Sequence, residues 1–230
     1  MALGAGPACT SRTKRRPLLQ GPDRSLTITM PTILLVRHGE TDWNRSGQIM
    51  GERPVPLNQQ GLAQAQRLAG LLMDRPIRAI HSSPVARARQ TAEILTSAMN
   101  VPVTIDRGLT EIGVGGWEGL YWKDLADQII RQDLYRKPHE ARPPGGETLR
   151  EVQDRAVAAV ERACATQSEG PLLFVSHADV LRAILAHYLK LDLATIRQVR
   201  VSHAALTAIE IHGSRTDLVC LNYPPDPSIR

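Results

Sequence analysis

From Pro31 onward, short apolar runs alternate with longer segments in which apolar residues recur every three or four positions. The apolar runs are "TILLV" (32–36), "IRAIHSS" (77–83), "VPVTI" (101–105) and "PLLFVS" (171–176). Short runs of this kind are typical of buried strands, and their alternation with helices predicts a parallel sheet with helices on both faces. The predicted fold class is α/β, a three-layer α/β/α sandwich with a mostly parallel central sheet.

The helical segments each have an apolar face. In residues 58–74 the positions predicted to be buried are Leu62, Ala65, Leu68, Ala69 and Leu72. In residues 147–165 they are Leu149, Val152, Ala156, Val160 and Ala163. This spacing indicates amphipathic helices that pack one side on the sheet. Residues 113–146 are irregular apart from a short helix near 122–134, and residues 205–222 predict a closing hairpin.

The first 30 residues differ from the rest of the chain. They are rich in Gly, Pro, Ser, Thr and Arg, and they carry five basic side chains against one acidic side chain. Their charge of +4 leaves only +1 of the total +5 for the remaining 200 residues. We therefore predict an extension over 1–30, disordered or lying before a true start at Met30, and one folded domain over 31–230.

The nearly neutral domain argues against nucleic acid as a partner. No run approaches the roughly 18 apolar residues of a membrane span, so no membrane partner is expected. Cys9, Cys164 and Cys220 are widely spaced and form neither a CxxC pair nor a disulfide framework, which indicates a reducing, cytoplasmic setting. A homodimer remains open.

Three of the predicted strands end next to side chains that bind anions. The first is followed by Arg37 and His38, the second by Arg87 in the first turn of the next helix, and the last by His177. Ligands gather at the carboxyl ends of strands in such sheets, so these side chains are expected to converge. Guanidinium groups match phosphate oxygens, and helix N-termini add backbone N–H groups, so this edge of the sheet suits a phosphoryl group.

The order of these pieces resembles the histidine phosphatase superfamily, the phosphoglycerate-mutase-like enzymes. The stretch "LVRHGETDWN" (35–44) matches the signature of that family almost letter for letter. Four later stretches resemble its other blocks in the same order: "SSPVARARQTA" (82–92), "LTEIGVGGWEGL" (109–120), "GGETLREVQDR" (145–155) and "VSHADVLRAIL" (175–185). The resemblance covers about residues 31–222 and implies the phosphoglycerate-mutase-like fold.

The resemblance also implies a role for each site residue. His38 would attack phosphorus and form a phosphohistidine, while Arg37, Arg87 and His177 would stabilise the phosphoryl oxygens. Glu111 would protonate the leaving alkoxide and then take a proton from the attacking water. The other expected substrate contacts are Gly39, Thr41 and Asn44. This chemistry requires no metal and no other cofactor.

Three further residues have more than one interpretation. Glu118, in "WEG", is a rival acid, although we favour a role in anchoring its loop. His203, in a second "SHA", opens an alternating segment and is interpreted as structural. Asp179 follows Ala178 where the family usually has two glycines; a helix-capping role is expected for it, and its charge would alter substrate choice.

Three functions compete on these observations. The favoured one is a metal-free phosphomonoesterase that acts on a small-molecule phosphate ester. A cofactor-dependent phosphoglycerate mutase would need extra basic residues between positions 119 and 147, where the sequence mixes basic and acidic residues and lacks an arginine-rich lid. A catalytically idle phosphate-binding relative is disfavoured, because all five expected catalytic residues are present.

Overall fold

The computed structural model describes residues 32–125, 129–166 and 170–223 of the chain. The predicted extension over 1–30 therefore lies outside the described residues. Within the described part, no helix combines the length and the apolar character needed to cross a membrane.

Six strands form one sheet in the order β3-β2-β4-β1-β5-β6. Their bounds are β1 (Thr32–Arg37), β2 (Ala79–Ser82), β3 (Val103–Ile105), β4 (Leu172–Ser176), β5 (Leu206–His212) and β6 (Arg215–Tyr223). The pairs β1–β4, β4–β2 and β2–β3 are parallel, whereas β5 runs antiparallel to both β1 and β6. The mostly parallel sheet and the closing hairpin are thus confirmed.

Helices connect and flank these strands. Their bounds are α1 (Asp42–Ser46), α2 (Gln59–Leu72), α3 (Ala86–Met99), α4 (Ile129–Arg136), α5 (Leu149–Thr166) and α6 (Ala178–Leu189). Short 3-10 helices span Arg107–Leu109, Gly115–Trp117, Trp122–Leu125 and Ile196–Gln198. The loops between these elements carry most of the candidate site.

The side chains of β1 alternate between two hydrophobic cores. Ile33 and Leu35 belong to the core that contains α5 and α6, whereas Leu34 and Val36 belong to the core that contains α2 and α3. Successive side chains of a strand point to opposite faces of the sheet, so this alternation means that helices cover both faces. The predicted three-layer sandwich is confirmed.

Two local predictions are corrected by the structure. Leu62 is 39% exposed, although the four other predicted positions on its helix are buried, because it lies in a surface groove between α2 and α3. The expected short helix near 122–134 is a 3-10 helix over Trp122–Leu125 and a separate helix, α4, over Ile129–Arg136.

Two glycines bring the end of β1 against the start of α2. A Cβ atom on Gly61 would overlap the carbonyl oxygen of Glu40, and a Cβ on Gly39 would lie 2.5 Å from the carbonyl oxygen of Gly61. Both obstacles are backbone atoms, which cannot rotate away as a side chain can. The same contact includes a 3.0 Å hydrogen bond from the Asn58 N–H to the Glu40 carbonyl. The loop that carries His38 is therefore fixed on α2.

Gly61→Ala should lower the free energy of unfolding by about 1–3 kcal/mol, because the added methyl group has no space. Gly70→Ala is a matched control in the same helix, where a Cβ would meet no atom within 4 Å. That change should raise stability by about 0.5–1 kcal/mol, as expected when glycine is removed from a helix interior. Chemical denaturation measures both effects, and equal stability of the two variants would contradict the close approach.

Candidate active site

Backbone hydrogen bonds hold three strand ends together at one edge of the sheet. The N–H of His38 donates to the Ser176 carbonyl at 3.0 Å and joins the ends of β1 and β4. The N–H of Ser83 donates to the Val175 carbonyl at 3.0 Å and joins the end of β2 to β4. The side chains expected to converge follow these strand ends, and the structure brings them together.

Two contacts determine the tautomer of His38. Its Nδ1 lies 2.7 Å from the Gly39 carbonyl oxygen, which can only accept, so Nδ1 carries the proton. Its Nε2 lies 3.2 Å from Nε of Arg87, which can only donate, so Nε2 presents a lone pair. Burial lowers the pKa of His38 well below its usual value, and the charge of Arg87 lowers it further. His38 is therefore a neutral imidazole.

Arg87 is fully buried and is held by the loop that follows α1. Its Nη2 donates to the Gly51 carbonyl at 2.9 Å, and its Nη1 donates to the Arg53 carbonyl at 3.2 Å. Its Nη2 also lies 3.7 Å from Oε2 of Glu111. The guanidinium thus links His38, Glu111 and one wall of the site.

Two buried nitrogens near His38 have no hydrogen-bond partner among the described residues: Nε of Arg37 and Nδ1 of His177. The rest of each side chain is anchored. Nη1 of Arg37 donates to the Val201 carbonyl at 2.9 Å, and Nε2 of His177 lies 2.8 Å from Oγ of Ser83. A buried polar group without a partner costs roughly 1–3 kcal/mol, so acceptor oxygens of a ligand would stabilise this arrangement.

Glu111 contacts the same groups. Its Oε2 lies 3.6 Å from Nδ1 of His177, and its Oε1 accepts the N–H of Ile112 at 3.0 Å. Burial raises the pKa of Glu111 to about 7, although the nearby charge of Arg87 acts in the opposite direction. Near neutral pH the carboxyl group is therefore present in both protonation states, which suits a general acid and base.

Arg155 positions the segment that carries Glu111. It donates to the carbonyls of Gly108 (2.8 Å), Thr110 (2.7 Å) and Glu111 (3.0 Å). Its remaining donors form a forked pair with both carboxylate oxygens of Glu147, at 2.8 and 2.9 Å. All five N–H groups of the guanidinium are thus engaged. This role of the "GGETLREVQDR" stretch did not emerge from the sequence.

Three of the expected substrate contacts have structural partners. The Gly39 N–H donates to Oγ1 of Thr91, and its carbonyl accepts from His38. Thr41 and Asn44 form a reciprocal capping box at the start of α1, and Thr41 is fully buried. Direct substrate contact is therefore not supported for Gly39 and Thr41, whose polar groups are engaged within the protein. Asn44 lines the cleft, and its contact with substrate stays a prediction.

The contacts of Glu118 and Asp179 can be compared with the roles that the sequence predicts for them. The anchoring contacts expected of Glu118 are present, because its carboxylate accepts the Glu52 N–H at 2.9 Å and pairs with Arg53 at 3.4 Å. Asp179 does not cap α6; its carboxylate accepts from Arg182 and from the hydroxyl of Tyr135.

His203, interpreted above as purely structural, lies at the site. It lines the cleft, and its ring centroid is 5.8 Å from that of His38. The N–H of the following residue, Ala204, donates to the Arg37 carbonyl at 2.9 Å, which explains the proximity.

The site opens into a cleft of about 340 Å³. One potential ligand atom each from His38, Glu111 and His177 lies within 4.8 Å of the others, a spacing that could hold a metal ion. However, the guanidinium groups of Arg37 and Arg87 lie beside this cluster, and fixed positive charges repel a divalent cation. The donor set therefore fits an anion better than a metal.

Two guanidiniums and two neutral imidazoles that converge beside a carboxyl group form a site that suits a phosphoryl group. The sequence profile of the histidine phosphatase superfamily (branch 1) matches residues 33–224. The chain belongs to this superfamily.

Individual relatives carry different names. "Probable phosphoglycerate mutase GpmB" of Shigella boydii is 32% identical over 189 residues, which are 80% of this chain and 87% of that protein. "Metal-independent phosphoserine phosphatase" of Arabidopsis thaliana is 36% identical over 171 residues, 71% of this chain and 69% of that protein. A mycobacterial glucosyl-3-phosphoglycerate phosphatase, solved with VO3, has a TM-score of 0.77 and 29% identity, covering 83% of this chain and 98% of the other.

Arg155→Lys should lower kcat/KM for an alkyl phosphate by about 10- to 100-fold, because a catalytic group displaced by about 1 Å can lose 100-fold in rate. Lysine has three donors and cannot replace the fork. The loss should be smaller for p-nitrophenyl phosphate, whose leaving group hardly needs an acid.

The matched control for this change is Arg150→Lys. Arg150 lies on the exposed face of the same helix and pairs with Asp154 there. It should leave both substrates nearly unaffected. An equal loss for the two substrates in Arg155→Lys would indicate general distortion and not misplacement of Glu111.

Proposed function

We propose that this protein is a metal-free phosphomonoesterase that hydrolyses a small phosphate ester through a phosphohistidine on His38. The observation that carries the proposal is the pair of buried nitrogens without partners, on Arg37 and His177, beside a neutral imidazole. A phosphoryl group supplies acceptor oxygens for both nitrogens and an electrophile for His38. The names of the phosphatase relatives support the same choice.

In the first half-reaction, Nε2 of His38 attacks phosphorus, and the bond from phosphorus to the ester oxygen breaks. The leaving alkoxide takes the proton of Glu111. Attack creates positive charge on the imidazole ring, and the hydrogen bond from Nδ1 to the Gly39 carbonyl stabilises it. Arg37, Arg87 and His177 stabilise the charge that is spread over the phosphoryl oxygens.

In the second half-reaction, water attacks the phosphohistidine while Glu111 accepts a proton from it. The bond between phosphorus and Nε2 breaks, which restores neutral His38 and protonated Glu111 and releases inorganic phosphate. Because the carboxyl group must give and take one proton in each cycle, a pKa near the working pH is favourable.

A phosphoglycerate mutase is the second candidate, supported by the name of the GpmB relative. Both reactions pass through the same phosphohistidine and differ in the acceptor, which is water or a second alcohol. Incubation with 3-phosphoglycerate and a trace of 2,3-bisphosphoglycerate separates them. Release of inorganic phosphate supports the phosphatase, whereas formation of 2-phosphoglycerate without phosphate release supports the mutase.

Glu111→Gln should trap the intermediate when p-nitrophenyl phosphate is the substrate. Phosphorylation then proceeds without an acid, dephosphorylation slows by roughly 10²–10⁴-fold, and acid-labile phosphoprotein accumulates. His38→Ala should form none. The assay is run in EDTA, so it also tests metal independence. Phosphate trapped on His177 would show that the two histidines have been assigned the wrong way round.

The pH dependence for an alkyl phosphate should descend above about pH 7. The pKa of Glu111 is raised, so the protonated form needed to release the alkoxide is lost as pH rises through that value. Glu111→Gln should abolish the descending limb in a plot of kcat/KM against pH, and Glu118→Gln should retain it. The opposite pattern would identify Glu118 as the acid.

A further inference from the structure

The mechanism leaves one wall of the cleft unused. This wall, which we term the distal wall, consists of Tyr135 from α4, Asp179 and Arg182 from α6, and Arg197 from the 3-10 helix that follows α6. All four residues line the same cleft as Arg37 and His38. An ester bound with its phosphate on His38 would extend its alcohol half towards groups that line the rest of this cleft.

Asp179 and Arg182 neutralise each other in the distal wall. Nη1 of Arg182 donates to Oδ1 of Asp179 at 2.9 Å, and the Tyr135 hydroxyl donates to Oδ2 at 3.1 Å. Nε of Arg182 donates to the Val199 carbonyl at 2.8 Å, which fixes the pair in place. Each oxygen of the carboxylate thus accepts one hydrogen bond, and the charge of Asp179 is balanced by that of Arg182.

Arg197 is the cation of the distal wall without an acidic partner among the described residues. Its guanidinium carbon lies 4.5 Å from the ring centroid of Tyr135, a cation–π contact. A guanidinium placed over an aromatic face keeps its N–H groups for hydrogen bonds at its edge. The side chain is exposed to the cleft and is oriented by a buried ring. Arg197 is therefore a positioned donor for an anion.

The charge balance of the cleft favours a second acidic group on the substrate. The guanidiniums of Arg37, Arg182 and Arg197 line it, and that of Arg87 contacts His38; Asp179 cancels one of these four charges. With Glu111 protonated, three positive charges remain. A phosphate ester carries about two negative charges, which leaves one positive charge for another anion.

The volume of the cleft limits the size of that substrate. Ligand sites range from about 300 to 1,000 Å³, and this cleft, at about 340 Å³, is at the small end. A compact ester with its two acidic groups a few bonds apart fits this volume better than a nucleotide or a long-chain ester does.

We propose that Arg197 determines specificity by binding a carboxylate on the alcohol half of the phosphate ester, so that the substrates are phosphorylated hydroxy acids. Tyr135 acts as a positioning residue for Arg197 through the face of its ring. This inference rests on the proposed phosphatase activity.

The test compares two esters that differ only at one carbon: 3-phosphoglycerate, which has a carboxylate, and glycerol 3-phosphate, which has a hydroxymethyl group. Phosphate release gives kcat/KM for each. The wild-type protein should prefer 3-phosphoglycerate by at least about tenfold, the value of one charge-assisted contact. Arg197→Gln should reduce this ratio about five- to twentyfold, mainly through KM for 3-phosphoglycerate. Arg197→Lys should restore part of the ratio.

The matched control is Arg200→Gln, which removes an exposed arginine three positions further along the chain and outside the cleft. The preference for 3-phosphoglycerate should persist in this variant. Charge reversal by Arg197→Glu should shift preference towards O-phosphoethanolamine, which carries an ammonium group. A ratio that is unchanged in Arg197→Gln, or that falls equally in Arg200→Gln, would overturn the assignment.

The positioning role of Tyr135 has its own readout. Tyr135→Phe retains the ring beneath Arg197 and should preserve the substrate ratio, whereas Tyr135→Leu removes the ring and should reduce it. Equal ratios in the two variants would contradict the role of the ring.

Failure of this inference is distinguishable from failure of the proposed function. If the wild-type protein cleaves p-nitrophenyl phosphate but does not discriminate between the two esters, the role of Arg197 is wrong and the phosphatase activity stands. If it cleaves none of these esters, the phosphatase proposal itself is wrong.

Discussion

The burial of two guanidinium groups beside two neutral imidazoles is the constraint on which the site depends. A charge removed from water requires compensation, and here it comes mainly from backbone carbonyls: Gly51 and Arg53 accept from Arg87, and Val201 accepts from Arg37. The loop of Gly51 and Arg53 is held through Ile49, whose backbone pairs with Gly119 and Leu120. The loop of Val201 is held through Ala204, whose N–H donates to the Arg37 carbonyl. Burial and the same charges lower the pKa of His38, so the electrostatics that attract an anion also keep the proposed nucleophile neutral. The fold and the reactivity are thus linked through a small set of hydrogen bonds.

The pKa of Glu111 is subject to two opposing influences, the charges of its neighbours and its burial. Its neighbours are cationic, which alone would favour the carboxylate, yet burial outweighs them and raises its pKa. This burial depends on the backbone position of Glu111. Arg155 fixes that position by donating to the Glu111 carbonyl, and Glu147 holds Arg155 in place. The raised pKa of Glu111 beside arginine side chains is therefore a consequence of how firmly its loop is held.

The sequence predicts much of the architecture because apolar periodicity reports directly on burial. The convergence of Arg37, His38, Arg87 and His177 was predictable for a related reason, because residues that follow apolar runs lie at one edge of a parallel sheet. Glu111 was predicted only from the resemblance to the family. The contacts of Arg155 were not predictable: three of its acceptors are backbone carbonyls 44 to 47 positions away, and a carbonyl has no residue-type signature. The capping role predicted for Asp179 is wrong because its carboxylate pairs with Arg182 and with Tyr135, which lies 44 positions earlier on α4. His203 reaches the site through β5, whose antiparallel return beside β1 brings a distant segment next to Arg37.

The hydrogen bond between Arg87 and His38 affects which electrophiles the proposed nucleophile can attack. The Nε–H of Arg87 donates to Nε2 of His38, so the lone pair of that atom is engaged. An uncharged electrophile offers Arg87 no better acceptor, so the lone pair of Nε2 stays in its hydrogen bond. A phosphate ester offers Arg87 its own oxygens as acceptors and thereby frees Nε2 for the proposed attack. In the proposed mechanism, Arg87 therefore limits the reaction of His38 with uncharged electrophiles and also stabilises the phosphoryl oxygens.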